Sequence, residues 1–88
     1  MKKTAITVKN RRGLHARAAT IIVKHANEFK SKIIIGKNGM EADAKSIMGI
    51  LMLAAEYGTR LTITASGPDE DEAIVTMQEV FEKKVLEG

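Results

Sequence analysis

The sequence of 88 residues contains no cysteine and no tryptophan, and it has one proline and three aromatic residues, Phe29, Tyr57 and Phe81. The lack of cysteine excludes disulfides, thiolate catalysis and thiolate metal sites, and it fits a reducing cytosol. The longest apolar runs, near Ile33 and Ile50, are far too short to cross a bilayer. Since no export signal is present either, we expect a cytoplasmic protein that does not insert into membranes.

The length predicts a single domain, residues 1–88, which has one core and little room for a deep pocket of its own. Apolar residues make up 44% and charged residues 28%, a composition typical of a chain that folds throughout. Two histidines without any cysteine offer no clustered ligand set for a metal ion. These features disfavour a multi-step enzyme, and we expect neither a metal nor a cofactor.

The charge is unevenly distributed along the chain. The net charge of +3 comes from fourteen basic and eleven acidic residues, with Arg11, Arg12 and Arg17 around His15 and an acidic cluster at 69–72. One side of the molecule is therefore expected to attract acidic partners. The isoelectric point of about 9.3 also permits a small nucleic-acid-binding module. That alternative is weak, because no pair of aromatic residues for stacking on bases falls on a predicted strand.

Periodicity predicts seven secondary structure elements in the order βαββαβα. Strands are expected at about 4–8, 33–37, 40–44 and 61–66, and helices at about 16–27, 47–55 and from 70 onward. Asn38-Gly39 predicts a tight hairpin because both residues accept positive φ. The order favours an α+β fold, an open-faced sandwich in which a four-stranded, largely antiparallel sheet is covered on one face by three helices.

The helix ends and faces carry further predictions. Ser46 is expected to cap the second helix, with Gly58 as its stop, while Asp69 and Glu72 resemble a capping box for the third. Buried stripes are expected on the first and third helices, and they comprise Ala19, Ile22, Val23 and Ala26, and Ile74, Met77 and Phe81. The second helix is apolar almost all round, so some of its side chains are predicted to be exposed.

The segment Gly13-Leu14-His15-Ala16-Arg17 has the features of an anion site. His15 falls at the N-cap of the first helix, where free backbone N–H groups and the helix dipole favour a phosphate. Arg17 can add a charge-assisted contact, and the dipole favours a neutral, nucleophilic ring. The alternative is that His15 is only a cap or a solvated side chain. His25 lacks a capping position, and we expect it at the surface.

Two motifs at the right distance give the chain a resemblance to a known family. Gly13 to Ala19 and Lys45 to Gly49 resemble the histidine-containing phosphocarrier family, HPr, of the bacterial phosphotransferase system. The resemblance covers nearly the whole chain, since its length, element order, Ser66–Asp69 turn and acidic third-helix start also match. It implies an open-faced β-sandwich of HPr type and a carrier of phosphoryl groups rather than an enzyme.

The resemblance also implies a role for each site residue. His15 would accept a phosphoryl group on Nδ1 from enzyme I and pass it to a sugar-specific or nitrogen-related enzyme IIA, and Arg17 would steady it. Ser46 matches a regulatory serine that a kinase/phosphorylase modifies in many bacteria. The partner surface implied by the resemblance comprises Thr20, Ile47, Met48, Leu51 and Met52. The alternative for this surface is ordinary core or a dimer seam, although a carrier with successive partners is expected to be a monomer.

Two departures from the family pattern bear on the pathway. Ala18 stands where sugar-system members commonly have proline, as it does in some nitrogen-system members, so the downstream branch stays open. Alanine preserves the helix start with less rigidity. Arg12 adds a cation where the family often has a small polar residue. A further alternative is a mainly regulatory HPr-like protein acting through Ser46, which His15 argues against.

Overall fold

The computed structural model describes residues 1–86, and its elements follow the predicted order βαββαβα. A short 3₁₀ helix follows the last α-helix. The elements are β1 (Lys2–Thr7), α1 (Ala16–Ala26), β2 (Lys32–Lys37), β3 (Met40–Asp43), α2 (Ile47–Leu53), β4 (Arg60–Ser66), α3 (Glu70–Glu82) and the 3₁₀ helix Lys84–Leu86.

The strands form one sheet in the order β1-β4-β2-β3, and every neighbouring pair is antiparallel. One face of the sheet is buried, because alternate apolar residues point to the same side of each strand. These buried residues are Ile6, Ile33, Ile35, Leu61, Ile63 and Ala65. The three α-helices cover this face, so the predicted fold class is confirmed.

The predicted hairpin joins β2 to β3 at Asn38 and Gly39. Their φ values are 47° and 84°, and Lys37 pairs directly with Met40 across the turn. Two successive positive φ angles match the right-handed twist of the strands, as in a type I′ turn. The local sequence therefore fixes the register of this pair.

The helices bury the expected sides with small differences. On α1 the buried residues include Ala18, while Val23 is only half-buried. On α3 Met77 and Phe81 are buried as predicted, whereas Ile74 is half-buried. Additional buried α3 residues are Ala73 and Val80. On each helix, the buried set thus includes residues next to the predicted ones, and one predicted residue is only half-buried.

The predicted end of α2 is wrong. The helix ends at Leu53, before the expected Ala55, and Gly58 lies in the following loop and does not stop it. Ala54 takes the left-handed conformation, with φ 51° and ψ 41°, and its N–H donates to the Leu51 carbonyl at 3.1 Å. A non-glycine residue in this conformation ends the helix early, because the chain turns away there.

The predicted capping box at the start of α3 is also wrong. The Asp69 side chain makes no capping hydrogen bond. Its carboxylate instead accepts hydrogen bonds from the backbone N–H groups of Lys30 and Ser31, both at 2.9 Å, and from the Ser31 hydroxyl. The Gly67 N–H donates to Glu70 Oε1 at 3.0 Å. Asp69 therefore ties the β4–α3 turn to the α1–β2 loop, since that loop offers several converging donors.

These donors make the stability contribution of Asp69 dependent on pH. The Ser31 hydroxyl and then the Lys30 N–H lower the pKa of the Asp69 carboxyl from its ordinary value of 3.8 to about 2. Because the folded-state pKa is depressed, the stabilisation is present above the unfolded pKa and is lost as pH falls through the folded pKa. We expect Asp69→Asn to lower the melting temperature at neutral pH and to converge on the wild type near pH 2.

Asp71→Asn is the matched control for this prediction. Asp71 lies in the first turn of α3 with a side chain that is 79% exposed, and its contact is a surface ion pair with Lys2 at 3.4 Å. Such pairs contribute little to stability. Melting curves of the three proteins between neutral pH and pH 2 measure the effect. An Asp69→Asn deficit that stays constant with pH would contradict the assigned role of the carboxylate.

Candidate functional site

His15 lies at the N-cap of α1, as predicted. Its φ of −87° and ψ of −178° are extended, and its side chain accepts a hydrogen bond from the backbone N–H of Arg17. The distance from Arg17 N to His15 Nδ1 is 3.3 Å. This bond directs the Nδ1 lone pair toward the first backbone N–H groups of the helix. The ring is half-buried, so its Nδ1 is held at the helix start while the residue stays accessible.

The loop before His15 is fixed by hydrogen bonds on both sides. The Asn10 side-chain amide donates to the Gly13 carbonyl, and the Gly13 N–H donates to the Asn10 carbonyl at 3.0 Å. The N–H of buried Leu14 donates to the Ala55 carbonyl at 2.9 Å. This last bond joins the start of α1 to the segment that follows α2. The position of His15 is therefore set by a distant part of the chain.

Gly13 permits this close approach of two backbones. Its φ is +69°, and a Cβ atom added there would lie 2.5 Å from the Ala55 carbonyl oxygen. We expect Gly13→Ala to destabilise the protein by about 2–5 kcal/mol, through left-handed strain and the displacement of Ala55. The measurement is the free energy of unfolding in denaturant.

Gly39→Ala separates the two causes, because Gly39 has φ +84° and an added Cβ would meet nothing within 4 Å. This variant has the strain alone, about 1–2 kcal/mol. The Gly13 variant should thus be less stable than the Gly39 variant by about 1–3 kcal/mol. Equal losses would mean that the contact with Ala55 does not constrain Gly13.

A shallow cavity of about 360 Å³ opens beside His15. Its lining is cationic, and within residues 1–86 no acidic side chain contributes to it. The lining residues are Lys9, Asn10, Arg11, Arg12, His15, Arg17, Val85 and Leu86. Four cations around a helix start, where the first backbone N–H groups have no helical partner, create a favourable field for an anion. The cavity brings His15 and Arg17 together, as the sequence predicted.

Part of this cavity could not be read from the sequence. Val85 and Leu86 belong to the 3₁₀ helix and form the apolar part of the lining. No local motif marks them, since they reach the site only because the chain after α3 packs against α1. Asn10 also lines the cavity, and its side-chain amide holds the loop by donating to the Gly13 carbonyl.

Ser46 and α2 lie outside the cavity lining. Ser46 caps α2 as predicted, and its hydroxyl accepts a hydrogen bond from the Gly49 N–H at 3.0 Å. Its φ of −118° and ψ of 115° are those of an extended cap residue. Ser46 is half-buried and its hydroxyl is oriented by the bond from Gly49, so any group added to it would extend from the N-terminal end of α2.

The apolar α2 surface, defined as Ile47, Met48, Leu51 and Met52, is largely open to solvent. Met48 is 67% exposed, Met52 70% and Ile47 40%, while Leu51 is half-buried. Residues four apart are neighbours on a helix, so the four side chains form one patch. The predicted exposure on this helix is confirmed, and its buried side consists of Ile50 and Leu53. Exposed Thr20 lies on α1, which packs against α2.

His25 is more buried than predicted. Its side chain is 23% exposed, and its Nδ1 lies 3.5 Å from Glu28 Oε1. It does not line the cavity beside His15. Residues 1–86 contain no group of three potential ligands that could hold a metal ion. Among the same residues, no helix combines the length and the apolar character that a membrane span requires.

Comparison with known proteins gives consistent matches over nearly the whole chain. A family model described as PTS HPr component phosphorylation site matches residues 2–83. The phosphocarrier protein HPr of Cupriavidus necator is 42% identical over 82 residues, covering 93% of this chain and 92% of that protein. The crystal structure of HPr-C-His from Thermoanaerobacter tengcongensis has a TM-score of 0.93 at 39% identity. The match covers 100% of this chain and 98% of that chain.

A second kind of relative is also similar. Crh, the catabolite repression HPr-like protein of Bacillus subtilis, has a crystal structure described as a swapped, intertwined dimer. Its TM-score is 0.78 at 37% identity, covering 94% of this chain and 95% of that chain. The region matched by the family model includes His15, Arg17 and Ser46.

Proposed function

The chain belongs to the HPr family of phosphocarrier proteins of the phosphotransferase system, and on that premise we propose that it carries a phosphoryl group on His15. The group would come from phosphorylated enzyme I and go to an enzyme IIA. The observation that carries the proposal is the Nδ1 of His15, which accepts a hydrogen bond from the Arg17 N–H at the start of α1 beside a cationic cavity. This arrangement suits a carrier, because the bond to phosphorus must form and break with little change in free energy.

The transfer step follows from the position of Nδ1. Its lone pair attacks phosphorus, the N–P bond to His15 forms, and the bond between phosphorus and the donor group of enzyme I breaks with its electron pair returning to that donor group. The Nε2 proton of His15 stays in place. The Arg17 N–H, 3.3 Å from Nδ1 before transfer, becomes a donor to a phosphoryl oxygen.

Arg17 and its cationic neighbours stabilise the charge that arrives. We propose that the Arg17 guanidinium contacts the phosphoryl oxygens, because charge-assisted contacts are the strong ones. Arg11, Arg12 and Lys9 line the same cavity and raise the local concentration of acidic partners. The partner surface would be the apolar α2 surface together with Thr20.

Ser46 is proposed as a regulatory phosphorylation site, modified by an HPr kinase/phosphorylase. A phosphate on the N-cap of α2 is tolerated by the helix dipole, so the fold is kept. Nearly two negative charges would then lie beside the α2 surface that meets an acidic partner. Phosphorylation at Ser46 is therefore expected to oppose transfer at His15.

A phosphotransfer assay tests the proposed function. The protein is incubated with enzyme I and labelled phosphoenolpyruvate, and the labelled product is then treated with acid. Phosphohistidine is acid-labile and phosphoserine is not, so acid-labile label is expected. A protein that takes up no label, or only acid-stable label, would refute the carrier function.

A mainly regulatory role is the second candidate, favoured by the similarity to Crh. It predicts binding to a DNA-binding partner only when Ser46 is phosphorylated, which co-purification tests. For the carrier we propose a cytoplasmic monomer that forms a single domain and does not bind nucleic acid. Light scattering distinguishes the monomer from a dimer of the kind described for Crh. Ala18 leaves the sugar and nitrogen branches as the two candidates for the acceptor.

A further inference from the structure

Lys37 makes an unusual contact with the end of α2. Its ammonium nitrogen Nζ donates to the Leu53 carbonyl at 2.8 Å and to the Ala54 carbonyl at 3.3 Å. Lys37 is the last residue of β2 and shares the helix-covered face of the sheet with buried Ile33 and Ile35. The row of buried isoleucines therefore ends in a half-buried lysine, whose ammonium group meets the end of the helix.

The C-terminus of α2 needs such a cation. The helix has seven residues and no basic residue in its own last turn. Its last carbonyls have no helical partner and carry the negative end of the dipole. Ala54, at φ 51°, is also in a conformation that alanine does not favour. Lys37 supplies from a neighbouring strand both the positive charge and the hydrogen bonds that this end lacks.

A lysine also makes a backbone contact near the N-terminal end of α2. Lys45 Nζ donates to the Phe29 carbonyl at 2.8 Å, one residue before the Ser46 cap. A lysine ammonium group therefore makes a backbone hydrogen bond near each end of this short helix. At the C-terminal end the acceptors are carbonyls of the helix end itself, and at the N-terminal end the acceptor is the Phe29 carbonyl. A helix of this length is marginal without such contacts.

We propose that Lys37 is a positioning residue for partner docking, which fixes the C-terminal turn of α2 and with it the orientation of Met48 and Met52. The inference rests on the proposed function, because it concerns the surface that enzyme I would contact. Lys37 itself does not line the cavity beside His15, so its effect is on docking and not on the reacting atoms.

The test compares three variants with the wild type. Lys37→Met keeps the length of the side chain and removes the ammonium group, whereas Lys37→Arg restores the charge and the donors. Lys32→Met is the matched control, because exposed Lys32 lies on the same strand but on the open face of the sheet. It removes the same charge. The readouts are the KM and kcat for phosphorylation by enzyme I, and hydrogen exchange of the α2 amides.

For Lys37→Met we expect the KM to rise about three- to ten-fold with kcat unchanged, as the loss of a charged hydrogen bond predicts. Exchange at the Leu53 and Ala54 amides should accelerate by a similar factor, and Lys37→Arg should recover both values. Lys32→Met should match the wild type. A KM that is unchanged in Lys37→Met, or raised equally in Lys32→Met, overturns the proposal.

Failure of the proposed function would look different. In that case the wild type and Lys32→Met would both remain unphosphorylated. Hydrogen exchange then decides alone whether Lys37 holds the end of α2: protection lost only in Lys37→Met supports that contact, and unchanged protection overturns it.

Discussion

Replacing His15 with alanine is expected to abolish acid-labile phosphoryl acceptance completely. No other side chain can take its place, because the Nδ1 lone pair is the one nucleophile held at the start of α1 among the residues lining the cavity. His25→Ala is the matched control, since His25 lies outside that cavity. It should retain the wild-type rate. Label from phosphoenolpyruvate, counted before and after acid treatment, gives the measurement.

The loss of function must be separated from a loss of fold. His15 also caps α1, and replacing a cap residue by alanine destabilises a protein by about 0.5–2 kcal/mol. His15→Asn keeps a side-chain acceptor for the Arg17 N–H, so it should retain more stability while accepting no acid-labile label. Wild-type labelling of either variant would place the phosphoryl group elsewhere and refute the assignment of His15.

Replacing Ser46 with aspartate is expected to lower phosphoryl acceptance from enzyme I by about 100-fold. Aspartate can still cap α2 by accepting from the Gly49 N–H, so the helix start is preserved. The added negative charge would face an acidic partner, and juxtaposed like charges destabilise a complex by several kcal/mol. A factor of 100 corresponds to about 3 kcal/mol.

Ser46→Asn provides the neutral comparison, because asparagine is also a good cap and has nearly the shape of aspartate. It should transfer phosphate at close to the wild-type rate. The rates of all three proteins are measured at low and at high salt, and the aspartate defect should shrink with salt as charges are screened. If asparagine impairs transfer as much as aspartate, the shape of residue 46 matters and its charge does not.

The fold was predictable wherever the pattern was local. Alternating apolar residues identified the buried side of β4, which consists of Leu61, Ile63 and Ala65. Asn38-Gly39 identified the hairpin through its positive φ angles. The position of His15 at a helix start followed from the helical period that begins at Ala16. Each of these features depends on residues within a few positions of one another.

The features that sequence reasoning missed depend on distant partners. Asp69 was predicted to cap its own helix, but its hydrogen-bond donors lie 38 and 39 residues earlier in the chain. The early end of α2 coincides with the left-handed Ala54 and with a contact from Lys37, which lies on another element. Likewise, Leu86 reaches the cavity only through tertiary packing. No local propensity encodes such contacts.

The sheet order has a consequence for synthesis of the protein on the ribosome. Within residues 1–86, β1 lies at the sheet edge and pairs with β4 alone, and the loop before His15 is anchored to Ala55. The wall of the His15 cavity also includes Val85 and Leu86. A nascent chain therefore exposes the histidine long before its surroundings exist. The lining of the cavity beside His15 is complete only after residue 86 has been translated and has joined the fold.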